Sequence, residues 1–206
     1  KAFGLITVPN LNYLIKTKSF YEFVPDHLSY FTLDTIKYLF LKNYFKIIEY
    51  KLINNNNDIL LTVKKNEKKN NFKIKIKPKL LNLKKDYKQV DLLINKLKNL
   101  EKSYFKSNKK IAVWGAGHRT LALLALSKFK KIDYIIDSAK FKQGLFSPIN
   151  KTKIVGPDYL QKNPVDLLIV MLPGIYPNEV IKKVQKLKIR GLKLAKLINN
   201  KIIYVK

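Results

Sequence analysis

Cysteine is absent from all 206 residues, which excludes disulfides and thiolate metal sites within the chain. A reducing, cytoplasmic setting is the expectation that goes with it. Arginine is nearly as scarce: of the 42 basic residues, all but Arg119 and Arg190 are lysine. Direct readout of bases leans on the planar guanidinium fork. The formal charge of +28 is therefore read as solvated lysine surface rather than as a nucleic-acid footprint, although it would still draw in acidic small molecules. Long hydrophobic runs are missing too. Stretches such as residues 167–172 are far too short to cross a bilayer, and no charged-then-apolar leader opens the chain, so neither nucleic acid nor membrane is an expected partner. Histidine occurs twice, as His27 and His118, and each lies in a stretch whose residues look chosen for chemistry rather than folding. A histidine exchanges protons near neutral pH, and His27 is the stronger candidate.

Lys1 is not an initiator methionine, and residues 1–8 already read as a strand entered at full stride. The expectation is a chain that begins inside a larger protein. Leu5 to Val8, closed by Pro9-Asn10, fits a buried strand ending at a turn. Thr32 can cap a helix with Asp34 in its first turn and Leu33, Ile36, Leu39 and Phe40 at helical spacing. Phe45 to Leu52 and Asp58 to Val63 read as an antiparallel hairpin across the tract Asn54 to Asn57. From Lys64 to Lys79 lysine and asparagine dominate, with Phe72, Ile74 and Ile76 alternating with lysine, and a domain boundary is placed here. Val90, Leu93, Ile94, Leu97, Leu100 and Tyr104 then mark one stripe of a connecting helix.

From Lys110 the rhythm becomes strand, glycine turn, helix, strand. Ile111 to Trp114 is an apolar strand, Gly115-Ala116-Gly117 a tight turn, Leu121 to Phe129 a helix, and Asp133 to Ile136 a second strand ending at Asp137. Leu167 to Val170 is a third buried strand, and Glu179 to Leu187 a helix. The fold class is thus α/β, with a small set of strands and an antiparallel hairpin followed by a Rossmann-like parallel sheet. The expected organisation is residues 1–66, a lysine-rich linker and helix over 67–109, and the Rossmann-like domain over 110–206. The Gly-x-Gly turn can bring a phosphate to backbone amides at a helix start, yet Thr120 replaces the third glycine of the dinucleotide fingerprint. Gly115 and Gly117 either meet a ligand or only make the turn. Asp137 either meets ribose hydroxyls or caps the following turn. His118 is a helix-start residue or a ligand contact.

The run 115–118, then 134–144, Ser147-Pro148, Gly156-Pro157 and 164–171 resembles the C-terminal domain of the sugar C-methyltransferases. Val8-Pro9-Asn10 and residues 26–32 resemble the last part of the same family's S-adenosylmethionine-dependent methyltransferase domain. The two motifs stand in the family's own order, and the resemblance fades between Lys64 and Lys109. It implies a partial methyltransferase sheet over residues 1–66, its last strands carrying the antiparallel hairpin, ahead of the Rossmann-like domain. It implies a nucleotide-linked keto-deoxysugar as substrate and S-adenosylmethionine as cofactor. The Gly-rich cofactor loop and the zinc cysteines of full-length relatives are both missing here, so neither a cofactor-binding nor a metal residue is assigned. The missing N-terminal half becomes an expected partner, and the fragment alone is expected to be inactive.

The same resemblance implies a catalytic role for His27, as the base that takes a proton from the carbon beside the sugar's keto group. Val24 and Asp26 stand where related enzymes carry a tyrosine and a glutamate. Asp26 is left to orient the imidazole or fix a substrate hydroxyl. Candidate substrate contacts are Tyr30, Gly115, Gly117, His118, Asp137 and Lys142, the last in the Lys142-Gln143-Gly144 turn. Tyr176, Asn178 and Glu179 rank below them. For His27 the alternative is a loop histidine satisfying backbone. For the chain as a whole it is a non-catalytic Rossmann-like module that binds a nucleotide or a nucleotide sugar.

Overall fold

The computed structural model describes residues 2–23, 27–66 and 83–205. The polypeptide divides into two compact units, and they interleave along the chain. Residues 2–17 and 27–66 belong to the first, and 18–23 and 84–205 to the second. The alternating Phe72, Ile74 and Ile76 lie outside the described residues.

The first unit comprises strand β1 (Phe3–Pro9), helix α1 (Leu11–Thr17), helix α2 (Leu33–Lys42) and strands β2 (Phe45–Ile53) and β3 (Asp58–Lys65). The sheet order is β1-β3-β2, antiparallel throughout. Strand β3 is central, and Ile59, Leu61 and Val63 alternate inward to meet Ile36 of α2. The hairpin link is turn-forming for a physical reason. Asn54, Asn55 and Asn56 all take positive φ, which asparagine tolerates better than most residues. Asp58 then accepts hydrogen bonds from the amides of Asn54 (3.1 Å) and Asn57 (2.8 Å). Thr32 caps α2, its hydroxyl accepting from the backbone N–H of Thr35 while the Thr35 hydroxyl accepts from that of Thr32, so a Ser/Thr pair makes a capping box without the usual Glu. Strand β1 is less buried than its apolar run suggests. Its residues alternate between half-buried and exposed, and Leu5 is 72% exposed.

The second unit opens with a 3₁₀ turn (Phe20–Glu22) and the long helix α3 (Leu83–Lys106), and continues as β4 (Ile111–Trp114), α4 (His118–Ser127), β5 (Tyr134–Ile136), β6 (Ile154–Val155), α5 (Tyr159–Lys162), β7 (Leu167–Val170), α6 (Tyr176–Lys186), β8 (Lys193–Ile198) and β9 (Lys201–Val205). The six strands run in the order β6-β5-β4-β7-β8-β9, parallel except for β9. This is the Rossmann-like arrangement, with the strand order reversing direction between β4 and β7, where such sheets open a crevice at their carboxyl ends. Strands β4, β5 and β7 are buried along their whole length, which explains why they read as continuous apolar runs. Helix α3 buries Val90, Leu93 and Leu97. It is tied in by Glu101, whose carboxylate accepts from the N–H groups of Lys130 (2.7 Å) and Lys131 (2.6 Å). No described helix is long and apolar enough to cross a membrane.

Candidate functional site

In the first unit, His27 is half-buried in the irregular stretch leading to α2. Its imidazole meets the edge of Tyr30, with ring centroids 6.0 Å apart and planes inclined at 65°. The downstream end of this stretch is fixed by the backbone, because Asn10 and Phe31 form a bridge and the N–H of Leu11 donates to the carbonyl of Phe31 (2.8 Å). Asn10 holds the corner. Its backbone N–H donates to the Asn57 carbonyl (2.8 Å), its side-chain amide donates to the Asn56 carbonyl (2.9 Å), and its side-chain oxygen accepts from Asn12. Buried polar groups satisfied this fully rigidify the loops that share them. Asp26 and Val24 lie outside the described residues, while Leu28 is almost wholly exposed at 94%.

In the second unit a cleft of about 270 Å³ opens at the carboxyl ends of β4, β5 and β7. It is lined by Trp114, Gly115, Asp137, Ser138, Leu172, Tyr176, Glu179, Val180 and Lys183. A neighbouring cavity of about 240 Å³ shares Trp114, Ser138, Val180 and Lys183 and adds Asp158 and Gln161. The cleft thus brings together four of the residues singled out from sequence: Gly115, Asp137, Tyr176 and Glu179. Gly117, His118 and Lys142 are not among its walls, and Asn178 instead accepts from the Lys196 ammonium (2.8 Å). Trp114, Ser138 and Lys183 were not singled out. Ser138 and Lys183 look like ordinary surface in sequence, and Trp114 looks like strand core.

The glycine turn has a definite electrostatic state. Gly115 has φ +114, and a Cβ there would lie 2.7 Å from the Leu172 side chain, so glycine is required both by conformation and by space. Gly117 begins α4 with ordinary extended backbone and open space around it. The amide nitrogen of Ala116, between them, donates to Oδ2 of Asp137 at 2.8 Å. Asp137 Oδ1 accepts from the Ala139 N–H (2.9 Å), and the Lys142 ammonium lies 3.4 Å from Oδ2 while donating to the Ala116 carbonyl at 3.2 Å. The side chain of Asp137 is only 13% exposed. A protein carboxylate therefore sits on the amide that a dinucleotide's phosphate would approach.

A second carboxylate lies at the same helix start. Glu22 faces Arg119, with 3.2 Å between Oε1 and Nη1 and both side chains nearly buried, and its Oε2 is 3.8 Å from Nε2 of the half-exposed His118. The Arg119 Nη2 donates to the Tyr21 hydroxyl at 3.0 Å. Burial pushes the Tyr21 phenol above its ordinary pKa, offset in part by the guanidinium. The signal available in the sequence was compositional, since Arg119 is one of two arginines in a lysine chain.

Among the described residues no group of three or more His, Asp or Glu side chains is disposed to hold a metal. The family model described as the C-methyltransferase C-terminal domain matches residues 56–198. No match was found among curated proteins.

Proposed function

The chain belongs to the C-methyltransferase C-terminal domain family, and from that premise we propose that it is the C-terminal half of an S-adenosylmethionine-dependent C-methyltransferase acting on a nucleotide-linked keto-deoxysugar, with His27 as general base. The observation that carries the reading is His27 itself, a half-buried imidazole in a loop pinned at Phe31. A general base has to be held in place and still reach its substrate.

The chemistry asked of it is the removal of one proton from the carbon beside the ketone. The C–H electron pair moves into a carbon–carbon double bond, the carbonyl oxygen takes the negative charge, and the imidazole becomes imidazolium. The enolate is the carbon nucleophile that C-methylation requires. Tyr30, at the edge of the imidazole, carries a phenol able to donate to a substrate oxygen, and Asp26 is proposed to orient the ring or to fix a substrate hydroxyl. The glycine turn does not fit the methyl donor, because the Ala116 amide already holds Asp137. No step at the donor is assigned to the described residues, and its cradle is expected in the N-terminal half that completes the enzyme. Joining this chain to such a half and measuring transfer to a nucleotide-linked keto sugar tests the proposal. His27→Asn is expected to abolish transfer with the fold intact, and undiminished transfer would remove the assignment.

The cleft of the second unit favours a second reading, a non-catalytic module for a nucleotide sugar. Lys183 offers an ammonium to phosphate, and the aromatic side chains of Trp114 and Tyr176 are among the lining. Calorimetry on this chain with nucleotide sugars and with NAD separates the readings. Sugar-nucleotide binding in the absence of any reaction in the completed enzyme would favour the module, and tight NAD binding without sugar-nucleotide binding would favour a dehydrogenase-like origin.

A further inference from the structure

We propose that the second unit carries a further binding site, for the phosphate chain of an oligophosphate or a nucleotide, in a hollow of about 370 Å³ at the amino ends of β4 and β5. The cleft lies at the carboxyl ends of the same strands, and the hollow is independent of both functional readings. The sequence places one lysine doublet, Lys109-Lys110, directly before β4 and another, Lys130-Lys131, just before β5. The two strands pair in parallel with Ala112 opposite Tyr134, so the segments that enter them run side by side. Ile111 donates its N–H to Asp133 Oδ2 and accepts from the Asp133 N–H, both at 2.9 Å. All four lysines, with Phe105 and Asp133, are among the walls of the hollow.

Like charges gathered around one hollow repel each other, and something has to hold them there. Backbone contacts to carboxylates do so. Glu101 accepts from the N–H groups of Lys130 (2.7 Å) and Lys131 (2.6 Å), Asp133 from that of Ile111, and Asp166 from that of Lys110 (2.8 Å). These bonds fix the chain that carries the doublets, yet among the described residues none of the four ammonium groups is paired with a carboxylate. Lys131 sets its ammonium 4.6 Å from the ring centroid of Phe105 instead. That ring is 59% exposed, so an aromatic face in solvent holds one cation in place. The walls are left with a surplus of positive charge that a ligand bearing several negative charges on a short chain would neutralise. Lysine binds phosphate as a point charge without a planar fork, so the scarcity of arginine is no obstacle here. The volume also falls within the range of about 300–1,000 Å³ usual for small-ligand sites.

The test is calorimetry on the whole chain with inorganic triphosphate. A single equivalent is expected to bind, with an affinity that falls as salt is raised. Lys110→Gln with Lys131→Gln is expected to weaken binding at least about tenfold, the size of one lost charge-assisted hydrogen bond. Lys140→Gln with Lys182→Gln removes the same charge from residues that do not line the hollow, and is expected to change the affinity less than about twofold, because screened distant charges contribute little. Every lysine replaced is exposed, and an unchanged thermal midpoint serves as the fold control. Should the first pair lower the midpoint, Lys109→Gln with Lys130→Gln is read in its place. Equal losses in the hollow and control variants, or no saturable binding in the wild type, overturn the proposal. So does a loss seen in Lys183→Gln and not in the hollow variants, which would place the ion in the cleft. ATP separates the two sources of a phosphate chain. An affinity no greater than that of inorganic triphosphate assigns the site to the chain alone, and a tighter one that returns to the inorganic value in Phe105→Leu assigns it to a nucleotide.

Discussion

The glycine turn of the second unit and the histidine loop of the first use polar groups in opposite ways. At the turn, several groups a ligand would address are already engaged by the protein: the Ala116 amide by Asp137, Asp137 by Lys142 and Ala139, and the Arg119 guanidinium by Glu22 and Tyr21. In the histidine loop a proton-active ring is half-buried beside Tyr30, with the hydrogen bonds of Asn10 and Phe31 spent on the backbone around it. The first arrangement closes the turn on itself, and the second leaves a histidine side chain partly exposed. A Gly-x-Gly turn therefore need not offer all its amides to a phosphate, and the Asp137 carboxylate on the Ala116 amide is the physical sign of it here.

The largest effect expected is catalytic. In the completed enzyme, His27→Asn should cost between about a hundredfold and ten-thousandfold in kcat, the range ascribed to a positioned base, while Gly117→Ala, at a position with open space around it, should cost little. Comparable losses in both would erase the contrast between loop and turn. Next in size is Arg119→Met, which strands the Glu22 carboxylate in a nearly buried site. A loss of about 3–5 kcal/mol in unfolding free energy is expected from urea denaturation. The double replacement with Glu22→Leu should recover most of it. Smaller again is Asp137→Ala, which leaves the Ala116 amide without its acceptor and should cost about 1–3 kcal/mol. The same variant opens the turn to anions, so phosphate should raise its thermal midpoint more than that of the wild type. Smallest is Leu28→Ala, whose side chain is almost wholly in solvent. A change within about 0.5 kcal/mol is expected there, and a larger one would show that the histidine loop is packed rather than presented.

Much of this was legible in the sequence where periodicity or turn chemistry decides local structure. The strands 111–114 and 167–170 stood out because both faces are covered, so every residue is apolar. The hairpin was legible because asparagine accepts the left-handed turn, and helix α2 because Thr32 caps it. Burial was less legible. Leu5 sits in an apolar run yet is 72% exposed, since a run of three or four apolar residues does not reveal how many faces of a strand are covered. The short elements β6 and α5 carry too few residues to show a period at all. The state of the turn was the least legible, because the pairing of Asp137 with Ala116 and of Glu22 with Arg119 joins residues 21 and 97 positions apart in sequence. The resemblance supplied the roles of His27 and Asp26, whereas the cleft lined by Trp114, Ser138 and Lys183 became visible only once the strand ends were brought together.

The central claim is that proton removal belongs to His27 and not to the glycine turn, and isotope exchange reads that step without requiring methylation to be completed. The nucleotide-linked keto sugar would be incubated in deuterium oxide with the completed enzyme, and deuterium entering the carbon beside the ketone would be followed by proton NMR. The account predicts exchange in the wild type and in Asp137→Ala, and none above the uncatalysed rate in His27→Asn. Full exchange in His27→Asn, or its loss in Asp137→Ala with the fold intact, would contradict it.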